Sequence, residues 1–384
     1  MSHMGENATT DTTTTTARRV RSGLPIWARV VAVAGAGVIA WYTLTLLAYT
    51  PWGILSLAPL ASVPFAVLML IRWSDRYRVA QEHLFPWALL VGGGLIAMFA
   101  FVINAVVSAL TGDLTVTVLG APLSEELLKG AAVVTILRLG AIGPVTMHGG
   151  ASVGALVGAG FAFTEDLSYA LSSQDPLLGT ALRLVFAPFF HASTAALFGL
   201  AYALRSMSAF GAATAVAIGL HALWNTMAQI SESLLLALGF SSLLTGAFIA
   251  AWVTFGVTQR RAVSSGVSVP QLLLPIEREL LCNPSLIGEL AARRTDSIQL
   301  DDLLRWKRAV LHVSECDRRN VADEQSRLAE LNSVRGGLHS VLTSRCAPEC
   351  EGRFPGLAHH HFLRTHQIVE TDSIGDSTAD RTDR

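Results

Sequence analysis

Residues 120–134 read GAPLSEELLKGAAVV, which sets three ionisable side chains, Glu125, Glu126 and Lys129, inside an otherwise apolar segment. The surrounding chain is greasier still. Of 384 residues, 51% are hydrophobic and 15% charged, and mean hydropathy is +0.47. Soluble domains carry about 25% charged residues, so this is membrane-protein composition. An ionisable group in mid-bilayer costs at least ~2.5–3.5 kcal/mol. Charges in such a segment must therefore meet partners or a hydrated cavity.

Working outward, blocks of the ~20 apolar residues needed to span a bilayer recur at roughly 25–48, 52–72, 86–110, 115–138, 148–172, 178–204, 209–231 and 235–257. The expected fold is all-α, a polytopic membrane protein of about eight transmembrane helices with a partly helical soluble C-terminal tail. Orientation follows from Lys and Arg near span ends. Arg18, Arg19 and Arg21 precede the first block; Arg72, Arg76 and Arg78 follow the second. Arg138, Arg205, Arg260 and Arg261 close the fourth, sixth and eighth, while the intervening turns hold Asp113, Asp175 and Glu232. All basic clusters thus share one side, with Arg183 the single exception. That distribution predicts a multi-pass protein of the cell membrane with both termini cytoplasmic.

Three regions follow. Residues 1–23 read as a tag scar (MSHM) and a flexible arm, 24–258 as the transmembrane domain, and 259–384 as a cytoplasmic tail. Within the tail, QLLLPIERELL and LIGELAARR predict short helices, the first on the membrane surface, and the last stretch reads as disordered. All four cysteines lie in the tail, where a cytosolic setting keeps thiols reduced. Its CAPEC and HHH segments match no common zinc module. Net charge near zero argues against a nucleic-acid partner.

Away from span ends the strongly polar residues are few: Glu125, Glu126 and Lys129, then Glu165 and Asp166, then His191, then His221 and Asn225, with Asn104 a lesser member. At ~1.5 Å of rise per helical residue, Glu125, Glu165, His191 and His221 all fall in the central part of the bilayer. One site built from four consecutive helices is the economical reading. Glu125 with Lys129, and His221 with Asn225, are i,i+4 pairs sharing a helix face. Gly154, Gly158 and Gly160 permit close helix approach. Blander readings compete. EELLK could be an ion pair neutralised on its own helix, though this leaves Glu126 unpaired. The glycines read more readily as packing than as substrate contacts. Asp166 points about 100° away from Glu165 and reads as a capping or orienting residue. His83 and His148, at span ends, read as solvated.

Two His and a Glu suffice for catalytic zinc with one position left for water. Such an ion lowers the water's pKa and polarises a carbonyl. Glu165, His191 and His221 are the candidate ligands for Zn2+, and Glu125 or Glu126 the general base. Lys129 could hold a carboxylate ionised or neutralise an oxyanion, and Asn225 could donate to it. A metal-free variant, with Glu and His alone activating water, stays open.

Taken in order, these residues resemble the PrsW family of intramembrane metalloproteases, in the clan that includes type II CAAX prenyl endopeptidases. The family's E-E-x-x-K is similar to Glu125-Glu126-Leu127-Leu128-Lys129, and its F-x-x-x-E to Phe161 through Glu165. Its His with a glycine eight positions on corresponds to His191 and Gly199, and its H-x-x-x-N/D to His221 through Asn225. Where the family often has Asn after the second motif's Glu, this chain has Asp166. The CAAX branch shows E-E-x-x-x-R and F-x-x-x-H, so the likeness is to the PrsW branch, over roughly residues 25–257. The resemblance implies peptide-bond hydrolysis in or beside the lipid bilayer, on membrane-anchored protein substrates such as anti-sigma factors. A CAAX-type or metal-independent Glu/His endopeptidase is one rival. A proton-coupled transporter or a non-catalytic scaffold is another, although no internal repeat of the transporter kind is present.

Overall fold

The structure, a computed structural model, describes residues 26–49, 53–75, 80–141, 145–229 and 234–264, with a few isolated positions between 305 and 334. The N-terminal arm, the tail's two amphipathic segments, its CAPEC and HHH motifs and its end lie outside the described residues. No strand occurs among the described residues. We number the helices α1 (Ile26–Tyr49), α2 (Gly53–Ser74), α3 (Glu82–Thr111), α4 (Ala121–Gly140), α5 (Met147–Ser172), α6 (Pro176–Phe186), α7 (Phe190–Ala203), α8 (Met207–Gln229) and α9 (Leu234–Ser264). A wide π turn, Val116–Gly120, leads into α4, and another, Val91–Ile96, interrupts α3.

Five helices, α1, α2, α3, α8 and α9, are long and apolar enough to cross a membrane, and α6 with α7 make a sixth if taken as one bent span. The chain is a multi-pass membrane protein. The expected count of about eight exceeds these by α4 and α5, which fail on composition rather than length. Helix α4 has 20 residues, yet it carries Glu125, Glu126, Lys129 and Arg138; α5 has 26, with many glycines plus Glu165 and Asp166. The side chains of the polar site are what depress their hydropathy.

A second departure lies in the expected single helix over 178–204. It is broken, and α6 meets α7 at 45°. Pro188 accounts for the break, because it has no N–H to donate and its ring disfavours helical backbone in the preceding residue. Ala187 accordingly sits at φ −142°, ψ 32°. His191 is thereby placed in the first turn of a new helix.

Helix α5 is the centre of the bundle. Nearly every residue from His148 to Ala162 is buried, and its most extensive partner is α7. Their antiparallel interface is a stripe of small residues with a four-residue period on both sides. Gly150 lies on Gly199, Gly154 on Ala195, and Gly158 on the backbone of His191. A methyl group on Gly158 would stand 1.9 Å from the His191 carbonyl oxygen. Only the missing Cβ lets the backbones meet.

One end-of-span expectation is corrected. His148 is buried, 1% exposed, and not solvated. Its Nε2 lies 2.9 Å from Ser74 Oγ, and its ring is edge-on to Trp252 and Phe255. Here α2, α5 and α9 close over it. His83 does stay exposed, with Nε2 2.8 Å from the Gly140 carbonyl oxygen.

Candidate active site

Helices α4, α5, α7 and α8 bring their polar residues to one place. Glu125, Glu126, Lys129, Glu165, His191 and His221 are all buried. The two imidazoles lie 5.3 Å apart between ring centroids, and the Phe190 ring is edge-on to both.

The i,i+4 pairing expected of Glu125 and Lys129 is not the one formed. Lys129 instead bonds Glu126 Oε1 at 2.7 Å, an i,i+3 pair, and reaches His191 Nδ1 at 2.8 Å. His221 Nδ1 lies 2.8 Å from the same Glu126 oxygen. Glu126 therefore anchors a lysine and an imidazole together. It is not among the residues lining the cavity described below.

Glu125 turns the other way, toward α3. Asn104 Nδ2 donates to its Oε1 at 3.1 Å, and Ser124 Oγ donates to the Asn104 side-chain Oδ1 at 2.7 Å, fixing which way that amide faces. The second carboxylate oxygen, Oε2, is buried without a hydrogen-bond partner among the described residues, 3.8 Å from His221 Nε2. Ligand atoms of Glu125, His191 and His221 all lie within 4.8 Å of one another.

Glu165 sits to one side of this triad. Its Oε2 meets His191 Nε2 at 2.7 Å and Arg183 Nη2 at 2.6 Å. The same guanidinium donates from Nε to Asp166 at 2.5 Å and lies over the Tyr169 ring, 4.6 Å from its centroid. This explains the one basic residue on the acidic side of the sequence. Asp166 is an orienting group, and what it orients is Arg183. Nothing in the hydrophobic pattern marked Arg183 as a site residue. Its exceptional position against an adjacent Glu-Asp pair was the available signal.

Asn225 does not reach the carboxylates or imidazoles. Its Nδ2 donates to the Thr117 carbonyl oxygen at 2.8 Å, in the π turn before α4. A wide turn shifts the backbone register and leaves a carbonyl for a side chain to take. Asn225 thus ties α8 to the segment that delivers Glu125. It also lines a cavity of about 710 Å³ with Asn104, Glu125, Glu165, Tyr169 and Arg183. Thr117, Ser172 and Gln229 line it too, at the end of the bundle where α4 begins and α5 ends.

Residues 82–256 match the PrsW family of intramembrane metalloproteases. This stretch of the chain belongs to that family. No curated protein and no solved structure matches. The matched region begins at α3, so the first two helices, which the sequence resemblance had included, fall outside it. The matched region contains all the side chains just described.

Its donor set also fits a divalent ion. Two imidazoles and a carboxylate are a common first shell for catalytic zinc, and the buried, unsatisfied Glu125 Oε2 faces them. Charge balance agrees. Among the described residues, four buried carboxyls, Glu125, Glu126, Glu165 and Asp166, share the two basic side chains Lys129 and Arg183.

Proposed function

We propose that the chain is a membrane-embedded endopeptidase that hydrolyses peptide bonds of membrane-anchored protein substrates. The observation that carries this is the convergence of Glu125, His191 and His221 beside an unsatisfied carboxylate oxygen, with Glu125 and Glu165 lining a cavity large enough for an extended peptide. Glu125, His191 and His221 are the residues that would hold Zn2+. When bound, such an ion supplies Lewis acidity and lowers the pKa of water.

The remaining roles follow from contacts. Glu165, which lines the cavity beside His191, accepts a proton from the attacking water and returns it to the leaving amine. Arg183 holds the Glu165 carboxylate in place. Glu126 and Lys129 orient the imidazoles from behind, and Asn225 positions the turn that presents Glu125. This reading exchanges the expected duties of two carboxylates, with Glu125 as the ligand and Glu165 as the base, and the spacing of Glu125, His191 and His221 supports it. A helical substrate must unwind before its carbonyl reaches the site, so helix-breaking residues are expected near the scissile bond. Membrane-anchored regulators such as anti-sigma factors are the substrate class that the family likeness suggests.

Orientation is part of the proposal. Counting α4, α5 and the bent α6–α7 pair as crossings restores eight, with both termini cytoplasmic and the cavity opening on the opposite face.

One observation favours a metal-independent reading as well. Both ring nitrogens of His191 are engaged, Nδ1 by Lys129 and Nε2 by Glu165. With Lys129 charged, Nδ1 accepts and the ring proton sits on Nε2, where it opposes a cation. In that reading Glu125 and His221 activate water by themselves. Elemental analysis and cleavage of a membrane-anchored reporter decide between them. The zinc reading expects one ion per chain, lost in Glu125→Gln and retained in Glu165→Gln, with cleavage lost in both. An active preparation without metal would overturn it in favour of Glu–His catalysis. Uptake or current abolished by the same substitutions, without cleavage, would reject the protease.

A further inference from the structure

Between Phe85 and Val107, Asn104 is the one strongly polar side chain of α3. Its neighbours Val102, Ile103 and Val106 are exposed, as the lipid-facing residues of a spanning helix are, while Asn104 itself is half-buried. An amide set among hydrocarbon demands hydrogen-bond partners. It finds them on α4. Ser124 Oγ donates to its Oδ1 at 2.7 Å, and its Nδ2 donates to Glu125 Oε1 at 3.1 Å. The other acceptor within reach of the serine, the Ala121 carbonyl oxygen, is farther away at 3.2 Å.

These contacts act on a side chain that needs them. A glutamate has large rotamer freedom to lose, and Glu125 lines a cavity of about 710 Å³ into which it could swing. Among the described residues Asn104 is its one hydrogen-bond donor. With Oε1 taken on the α3 side, Oε2 is the oxygen left toward α8, buried, unpartnered and 3.8 Å from His221 Nε2. The serine in turn decides which end of the amide Glu125 meets. Turned over, the amide would set its own oxygen against a carboxylate oxygen.

We infer that Asn104 is a positioning residue for Glu125: it holds Oε1 so that Oε2 faces the imidazoles, and Ser124 acts through it. The inference rests on the ligand role proposed for Glu125 and extends it to α3. Outer contacts of this kind set ligand orientation, and losing one typically costs roughly 10–100-fold in metal affinity or activity. Asn104 also lines the cavity, so a substrate contact and a plain tie between α3 and α4 are the competing duties. Against the first, the amide oxygen and one N–H are already spent on α4. Against the second, the bond falls on the carboxylate whose other oxygen is bare.

The test measures zinc dissociation constants of the full chain by chelator competition, with thermal midpoints and with kcat and KM on a membrane-anchored reporter. Asn104→Leu keeps the volume and removes the amide. It should weaken zinc binding by roughly 10–100-fold, lower kcat and leave KM unchanged, with excess zinc recovering part of the lost cleavage. Ser124→Ala should cost about fivefold in zinc affinity, the worth of one hydrogen bond, and nothing further in the Asn104→Leu background. Unchanged zinc affinity in Asn104→Leu would overturn the inference, whether KM rises, as for a substrate contact, or only the thermal midpoint falls, as for a tie between helices. So would additive losses in the double variant. A wild type that cleaves without zinc rejects the zinc reading alone. Then kcat decides for Asn104: a loss of roughly 10–100-fold in Asn104→Leu upholds its role, and an unchanged kcat overturns it. A wild type with neither zinc nor cleavage removes the role of Glu125, and this inference with it.

Discussion

Replacing Gly158 by alanine adds one methyl group at the point where α5 crosses the backbone of His191. That methyl would lie 1.9 Å from the His191 carbonyl oxygen, 2.4 Å from its carbonyl carbon and 2.8 Å from the Ala192 nitrogen. Ordinary contact begins at 3.4 Å, so the helices are about 1.5 Å too close. All three atoms are backbone, and no side chain can swing away. The helices must part, and His191 moves with α7. Its bonds to Glu165 at 2.7 Å and Lys129 at 2.8 Å leave little slack before both exceed hydrogen-bond range. Overpacking of this kind costs roughly 1–3 kcal/mol, and a 1 Å displacement of a catalytic group costs on the order of 100-fold in rate. Gly211→Ala is the control, since nothing lies within 4 Å of its added methyl and a helical Gly→Ala change is neutral or stabilising by up to about 1 kcal/mol. Thermal midpoints by size-exclusion after heating, with cleavage of a membrane-anchored reporter, measure both effects. A Gly158→Ala protein with wild-type midpoint and wild-type cleavage would refute the reasoning.

Arg183→Gln should destabilise by roughly 3–5 kcal/mol, because it strands two buried carboxylates; in the Asp166→Asn background the loss should shrink, and a double-mutant cycle on thermal unfolding measures the coupling. Asn225→Ala should cost about 1 kcal/mol for the lost bond to the Thr117 carbonyl and lower kcat without changing bound metal, as read by elemental analysis beside the reporter assay. His148→Ala should lower the thermal midpoint, since it empties a buried site against Trp252 and Phe255, while metal content and kcat per folded molecule stay unchanged.

Which helices carry the site was legible because charges in hydrocarbon are costly enough to demand a common explanation. Glu125, Glu165, His191 and His221 fall at similar depths by simple counting, and the structure brings them together. Partner choice was less legible. At i,i+3 and i,i+4, both Glu126 and Glu125 are spaced to reach Lys129, and only the neighbouring helices decide. Asn104 on α3 takes Glu125, and His221 on α8 joins Lys129 at Glu126. The span count differs for a related reason. Residues that make the site lower the hydropathy of α4 and α5, and these two of the eight expected spans are not among the helices long and apolar enough to cross a membrane.

The spacing of His191 and Gly199 shows how far a motif can be carried by packing alone. Eight residues are two steps of the four-residue row along α7, and the matching row on α5 runs Gly150, Gly154, Gly158. Gly199 is needed at one end of that seam so that α7 lies flat on α5, and the close approach of Gly158 at the other end presses the His191 backbone inward. Its imidazole then has one position, between Lys129 and Glu165. The glycines do not touch a substrate, yet they fix where the imidazole stands. A Gly199→Ala substitution, whose methyl would fall 1.9 Å from the Gly150 carbonyl oxygen, should therefore tilt α7 about its far end and lower cleavage although it lies two helical turns from the chemistry. Full cleavage by that variant would mean that His191 is held by its hydrogen bonds and not by the seam.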